Sequence, residues 1–252
     1  DRKDDYNEVS ARIGASTNYD DINFFTQVSL GFRPPQINEA YRLQKKQNVT
    51  DLDSEKLTMF EFGSRYESDY VNGSISFYKS KKKNSIFRDS QNFIVDNGKT
   101  DHKGIELSLN FDVSPNNLLI TNITYGDHKY DFETDTSMRE KIRIGNKIDT
   151  APKLMANLIW NTNLNDNSSF SIEIEHMSSY FTDAANLHEY EGHTLYHARY
   201  NKKISDDFKL YLRVDNIFDK RYAERADFNA FGGDRYFPGL PREFYLGLEY
   251  TL

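Results

Sequence analysis

The rhythm of its connections restricts the fold of this chain more than any single motif does. Two-residue alternation of apolar and polar side chains marks eleven strands, near 6–17, 22–32, 55–67, 70–82, 99–112, 117–127, 150–163, 168–180, 190–204 and 207–218, with a last one ending at Leu252. The joints alternate in length. Asn18-Tyr19-Asp20-Asp21, Ser68-Asp69, Ser114-Pro115-Asn116, Asn165-Asp166-Asn167 and Ser205-Asp206 are tight, whereas 33–54, 83–98, 128–149, 181–189 and 219–239 are long. A soluble sandwich has no reason to sort its loops this way. Barrels of the bacterial outer membrane do, with short turns on the periplasmic side and long loops outside. The last strand then ends in the periplasm and the first begins outside. Single-chain bacterial barrels have an even strand number, so an odd count predicts further strands before Asp1.

The final strand carries the same message. Phe244, Leu246, Leu248, Tyr250 and Leu252 share one face, and Tyr245, Gly247, Glu249 and Thr251 the other. An aromatic-rich strand held to its last residue needs a neighbour on each edge, which a closed barrel supplies. On the second strand Ile22, Phe24, Thr26, Val28, Leu30 and Phe32 face one way and Asn23, Phe25, Gln27, Ser29 and Gly31 the other, with Phe25 the single break in polarity. The pattern suits lipid outside and a wet lumen inside.

Composition agrees once the membrane element is a strand. Hydrophobic content is 37% and mean hydropathy is −0.77, and no window approaches the ~20 apolar residues of a spanning helix, so a helical membrane protein is excluded. A barrel strand needs only about five outward apolar residues. The 17 Tyr and 18 Phe suit interfacial girdles. The net charge of −7 argues against a nucleic-acid partner, and the absence of Cys fits passage through an oxidising compartment.

Three stretches resemble one family. Val214-Asp215-Asn216-Ile217-Phe218-Asp219-Lys220-Arg221-Tyr222, followed by Phe237-Pro238-Gly239 and the closing strand, is similar to the C-terminal signature of TonB-dependent outer-membrane receptors. The run Gly31-Phe32-Arg33-Pro34-Pro35-Gln36-Ile37-Asn38-Glu39-Ala40-Tyr41 resembles the FRAP…NELY segment of that family, and Lys103-Gly104-Ile105-Glu106-Leu107 its KGxEL strand. Pro34 stands where Ala is usual and Leu252 where Phe is usual. The resemblance implies an all-β transmembrane antiparallel barrel of about twenty-two strands around a plug. Residues 1–252 would be its C-terminal half, with plug and N-terminal strands outside this sequence. It further implies a bacterial outer-membrane location and uptake of a scarce ligand, most readily a ferric siderophore, driven by the TonB complex acting on the plug. Haem is disfavoured, because Arg33 to Leu52 lacks the His of haem receptors.

Candidate ligand contacts come from the loops. Tyr222, Arg225, Phe228, Phe231, Arg235, Tyr236 and Phe237 concentrate stacking surface and positive charge, which suits an anionic aromatic ligand. Arg33 and Tyr41 join Tyr222, Arg225, Phe228, Arg235 and Tyr236 as the expected ligand-binding set. The bland reading is that these aromatics pack the loop on its neighbours. Lys79, Lys81, Lys82 and Lys83 are expected at the outer rim of a strand, where they could grip lipopolysaccharide phosphates or simply keep the strand end wet. Asp131, Glu133 and Asp135 could hold calcium through oxygen ligands, but lack the loop spacing for it. His193 and His197, beside Glu191, lie roughly 13 Å apart along a strand at ~3.3 Å per residue, too far for one metal. No metal and no cofactor is expected. No G-x-S-x-G, P-loop or HExxH occurs, so the chain is read as a transporter rather than an enzyme. Two alternatives stand beside that reading: a small stand-alone barrel acting as a passive pore or surface hydrolase, and a soluble carbohydrate-binding sandwich.

Overall fold

The computed structural model describes residues 5–41, 52–135 and 140–251. In chain order they form β1 (Ala11–Tyr19), β2 (Ile22–Arg33), a short helix α1 (Ile37–Tyr41), β3 (Glu55–Glu67), β4 (Val71–Arg88), β5 (Ile94–Ser114) and β6 (Asn117–Tyr130). There follow β7 (Thr134–Asp135), β8 (Lys141–Ile142), β9 (Leu154–Asn165), β10 (Ser168–Met177), β11 (Tyr180–Phe181) and β12 (Glu189–Tyr190). The chain closes with β13 (His193–Lys203), β14 (Phe208–Asp215), β15 (Ala223–Asn229), β16 (Gly233–Pro238) and β17 (Glu243–Tyr250). Eleven of these build one antiparallel sheet in the order β1-β2-β3-β4-β5-β6-β9-β10-β13-β14-β17. They are the eleven strands expected from the alternation, joined by the same five tight turns. Leu252 and residues 42–51 of the 33–54 connection lie outside the described residues.

The register shows why the sheet has two unlike faces. Reading partner to partner across eight strands, Val71, Phe111, Leu119, Trp160, Ile172, Ala198, Val214 and Phe244 form an unbroken apolar row. One residue along, Asn110, Ile120, Ile159, Glu173 and His197 pair on the other face, and beside them Ser74, Ser108, Asn122, Asn157 and Glu175. The apolar row starts at Val71, beside a tight turn, and ends at Phe244, beside a long connection. That stagger is the shear of tilted barrel strands. On the polar face Glu173 accepts from Arg199 and from Asn157, both at 2.7 Å. Phe25, the inward apolar residue of β2, lies beneath the Arg65 guanidinium at 4.3 Å from its ring centroid.

Apolar side chains of the wall are left uncovered. Phe60 is 50% exposed and Leu246 70%, and a contiguous patch of this size marks a membrane or a partner surface. No described helix is long and apolar enough to cross a membrane. Most of the buried hydrophobic residues gather instead in three small clusters on the long connections: Tyr180, Tyr190, Ala223 and Ala226; Leu52, Ile86 and Ile94; and Tyr130, Ile142 and Ala184.

β17 pairs with β14 alone among the described residues, so its second neighbour lies outside these eleven strands, in keeping with the odd strand count. The reason is parity: in an up-and-down sheet of eleven strands the first and last run the same way, and β1 cannot pair antiparallel with β17. The connections expected as long loops also carry strands of their own. β4 and β5 run on as a twisted ribbon to Arg88 and from Ile94, and β7–β8, β11–β12 and β15–β16 form two-stranded ribbons.

Leu107 and Ser108 test the assignment of faces, because neighbours on a strand point oppositely. Leu107→Arg is expected to cost ~2–4 kcal/mol of stability in denaturant unfolding from lipid vesicles. Ser108→Arg, on the wet face, should change the midpoint little.

Candidate functional site

The long connections converge into one cap over the rim of the sheet. The Tyr180 hydroxyl accepts from Ala226 N at 2.7 Å, and the Tyr190 hydroxyl accepts from Ala223 N at 3.0 Å, so two tyrosines of the 178–192 connection hold the β15–β16 ribbon. Phe228 N donates to Thr182 O at 3.0 Å and Ala230 N to Ser90 O at 3.0 Å, which ties the ribbon to the β4–β5 extension. Asn146 Nδ2 donates to Ala184 O at 3.0 Å and brings in the 128–149 connection.

The base of the ribbon explains its motif residue by residue. Asn216, buried and at positive φ, donates to Lys220 O at 2.9 Å and Leu240 O at 3.2 Å and accepts from Lys220 N at 2.9 Å, so it closes both ends of the connection. Asp219 Oδ1 accepts from Arg242 N at 2.9 Å. Gly239 sits face to face with the Tyr222 ring, where any Cβ would overlap it.

Of the seven expected contacts, three come together. Arg225, Phe228 and Arg235 line a cleft of about 260 Å³ between the ribbon and its neighbours. Arg225 donates to Asp227 Oδ2 at 3.0 Å and Arg235 to Asp227 Oδ1 at 2.6 Å, so two guanidinium groups share one buried carboxylate while more than half of each Arg side chain stays exposed. Phe228 stacks on His188 at 3.6 Å between centroids. Tyr236, on the same ribbon, is 56% exposed and 6.3 Å from Tyr190. The other three are elsewhere. Arg33 is clamped by Glu39, at 2.9 and 3.0 Å, and by Glu55. Tyr222 packs on Gly239 and His193, its ring 4.7 Å from the imidazole. Tyr41 is exposed on α1, which is fixed beside the cleft by Arg88 donating to Asn38 O at 3.1 Å.

Spacing in the sequence did not reveal the acidic wall of this cleft. Asp89, Glu140, Asp149 and Asp183 face Arg88, Arg225 and Arg235 from three different connections. Two of them are held by amides of their own loops: Asp89 Oδ1 accepts from Gln91 N in an Asx turn and from Phe93 N, and Asp183 Oδ1 accepts from Leu187 N and His188 N. Burial pushes Asp183 and Asp149 above the ordinary carboxylate value, and the Glu140 charge adds to it. Among the described residues no three His, Cys, Asp or Glu side chains converge to hold a metal. Asp127 is held by Lys147 and by Lys129 at 3.1 Å, and His197 by Asp215 at 3.1 Å.

The lysine run divides by parity. Lys79, Lys81 and Lys83 stand on the outer face, with Lys103 and Lys129 beside them in the register, and Lys82 turns inward to Glu55 at 2.7 Å.

A model of the family described as TonB dependent receptor-like, beta-barrel, matches residues 1–217. The chain belongs to that family. Its barrels reside in the bacterial outer membrane, and it is a family of receptors rather than enzymes. No curated protein matches the sequence significantly. Among solved structures the chain is similar to the siderophore receptor PiuA from Acinetobacter baumannii, with a TM-score of 0.78, 17% identity, and coverage of 95% of this chain and 35% of that one. It is also similar to the ferric citrate transporter FecA in its unliganded form, with a TM-score of 0.77, 21% identity and coverage of 96% and 38%. The ferric yersiniabactin uptake receptor FyuA from Yersinia pestis gives 0.76, 16%, and 96% and 36%. At these identities the likeness is one of fold. The TonB-dependent receptor chain described here spans a little over a third of the length of those proteins.

The raised carboxylates make the cap pH-dependent. A group whose folded pKa exceeds its unfolded value gives stability that is complete below the unfolded value, ~3.9 for Asp, and is lost as pH rises through the folded one. Protection of the amides of residues 178–192, taken relative to the intrinsic exchange rate at each pH, is therefore expected to rise as pH falls from neutrality toward that range. Asp149→Asn with Asp183→Asn should flatten the dependence, and an unchanged slope in that variant would refute the assignment.

Proposed function

We propose that this chain forms eleven strands of the wall of an outer-membrane transporter of twice that strand number, as its C-terminal half, and that the cap takes up a ferric siderophore. The observation that carries the reading is the pairing of a sheet, apolar outside and polar inside, with a cap assembled on one rim only. The cleft supports an anionic, aromatic cargo through Phe228 and the two arginines that share Asp227, and Tyr236 stands exposed on the same ribbon. The names of the similar solved structures point the same way. Arg33 and Tyr222 serve the ligand indirectly, by fixing the rim, and Tyr41 stands at its edge. A plug outside this chain would carry the contact with the TonB complex. The same-way orientation of β1 and β17 speaks against these eleven strands closing by themselves as a small pore or hydrolase.

Lipopolysaccharide is the partner proposed for the outer face. Lys79, Lys83 and Lys103 stand next to the apolar band, a place where phosphates of an outer-leaflet lipid meet a strand.

Protein purified from outer membranes in detergent is expected to bind a ferric siderophore, read by quenching of its intrinsic fluorescence. Tyr236→Ala and Arg225→Ala should each weaken binding on the order of tenfold, with Asp227 still paired to Arg235 in the second. Binding of another scarce solute in place of every ferric chelate would overturn the siderophore, and recovery in the soluble fraction would overturn the membrane wall itself. Substituting Lys79, Lys83 and Lys103 by Glu should lower the phosphate of co-purified lipopolysaccharide; an unchanged amount would sink that contact.

A further inference from the structure

One inward row of partners changes chemistry half-way along. It reads Ser76, Glu106, Thr124, Met155, Met177, His193, so three oxygen-bearing side chains give way to two thioethers and an imidazole on three adjacent strands. The whole sequence holds 4 Met, and two of them stand directly opposite each other here. Met155, Met177 and His193 line one concavity of about 370 Å³ with Thr124, Asn157 and Glu175. It lies at the ends of β9, β10 and β13 that meet the cap.

Packing accounts for only part of this row. Met177 rests against the cluster of Tyr180, Tyr190, Ala223 and Ala226. Met155 is 46% exposed on a wall otherwise lined by Asn122, Thr124, Asn157 and Glu175, where an apolar side chain buries little. His193 is held through Nδ1 by the Tyr190 hydroxyl at 2.9 Å, which fixes the ring and leaves Nε2 as its coordinating atom.

Facing side chains on neighbouring strands have Cβ atoms ~4.5–5.5 Å apart, so Met155 and His193 each flank Met177 at that spacing and stand about twice as far from each other. The three rotatable bonds of Met let both sulfurs close on a point above Met177. Two thioethers and a neutral imidazole are soft, uncharged donors, which select Cu(I) over the hard cations that need several oxygens. We propose that Met155, Met177 and His193 form a site for a soft monovalent cation, Cu(I) or its analogue Ag(I), on the inner wall directly beneath the cap. The site stands independently of the siderophore reading, since none of its three donors lines the cleft of Arg225 and Arg235.

Silver ion is the probe, because it keeps the soft chemistry without changing oxidation state. Calorimetric titration of the detergent-purified protein should show stoichiometric Ag(I) binding, and X-ray absorption of the complex should show sulfur in the first shell. Met155→Leu, Met177→Leu and His193→Gln are each expected to weaken it on the order of tenfold or more, while His102→Gln leaves it unchanged. Leucine keeps the volume of methionine, so the wall still folds, which circular dichroism checks. Tyr190→Phe should weaken binding less than His193→Gln, as befits a positioning residue. Undiminished affinity in the Met155→Leu/Met177→Leu variant, a shell of nitrogen and oxygen alone, or no stoichiometric binding would each overturn the proposal.

Discussion

Everything in this structure depends on the continuous backbone pairing of the wall. Inside hydrocarbon no water is available to an unpaired N–H or C=O, so strands can cross only as members of a sheet that leaves none exposed. Pairing fixes the register, and register fixes the faces, because a slip of one residue would send Phe111, Trp160 and Ile172 into the lumen and Asn110, Ile159 and Glu173 into lipid. The constraint also explains what the sheet lacks. Among the described residues β1 and β17 each present one edge without a neighbouring strand, and since they run the same way neither can satisfy the other.

The cap obeys different rules. It sits in water, so its backbone groups need no unbroken ladder, and three clusters of three or four buried residues replace a core. Its cohesion comes from directional contacts: tyrosine hydroxyls on ribbon amides, Asn216 across the base of a connection, an Asx turn at Asp89 and loop amides donated to Asp183. Such units bury little apolar surface and open locally at modest free energy.

The wall was legible in the sequence because one physical cause, a two-sided solvent, acts on every second residue. All eleven strands and five turns followed from it, with ends shifted most at 6–17, observed as Ala11–Tyr19, and at 70–82, which runs to Arg88. The cap was far less legible. Its contacts join residues some forty positions apart, such as Tyr180 with Ala226 and Lys147 with Asn186, and no local pattern records them. Motif resemblance did mark places of real constraint: Asn216 and Gly239 each fill a position that few side chains could take. Gly104, in the KGxEL strand, lies beneath the Tyr78 ring for the same steric reason. The acidic side of the cleft left no trace, since its carboxylates arrive singly from separate connections.

Charge balance separates the arginines that hold the rim from those that can meet a ligand. Arg33 and Lys82 carry two positive charges against the two negative charges of Glu39 and Glu55, so that group is neutral and closed. Arg225 and Arg235 share Asp227, so that trio carries one net positive charge at the cleft, although Glu224 and Asp234 also stand on the ribbon. Across the cleft Asp149 and Asp183 already hold protons more readily than ordinary carboxylates, because burial and the neighbouring Glu140 disfavour their charge. An anion entering the cleft is drawn by the ribbon and repelled by the opposite wall, and it raises the proton affinity of that wall further. Anion and proton therefore bind with positive coupling, and by reciprocity each strengthens the other to the same degree. Any anion in the cleft is therefore held best when the acidic side has been partly neutralised.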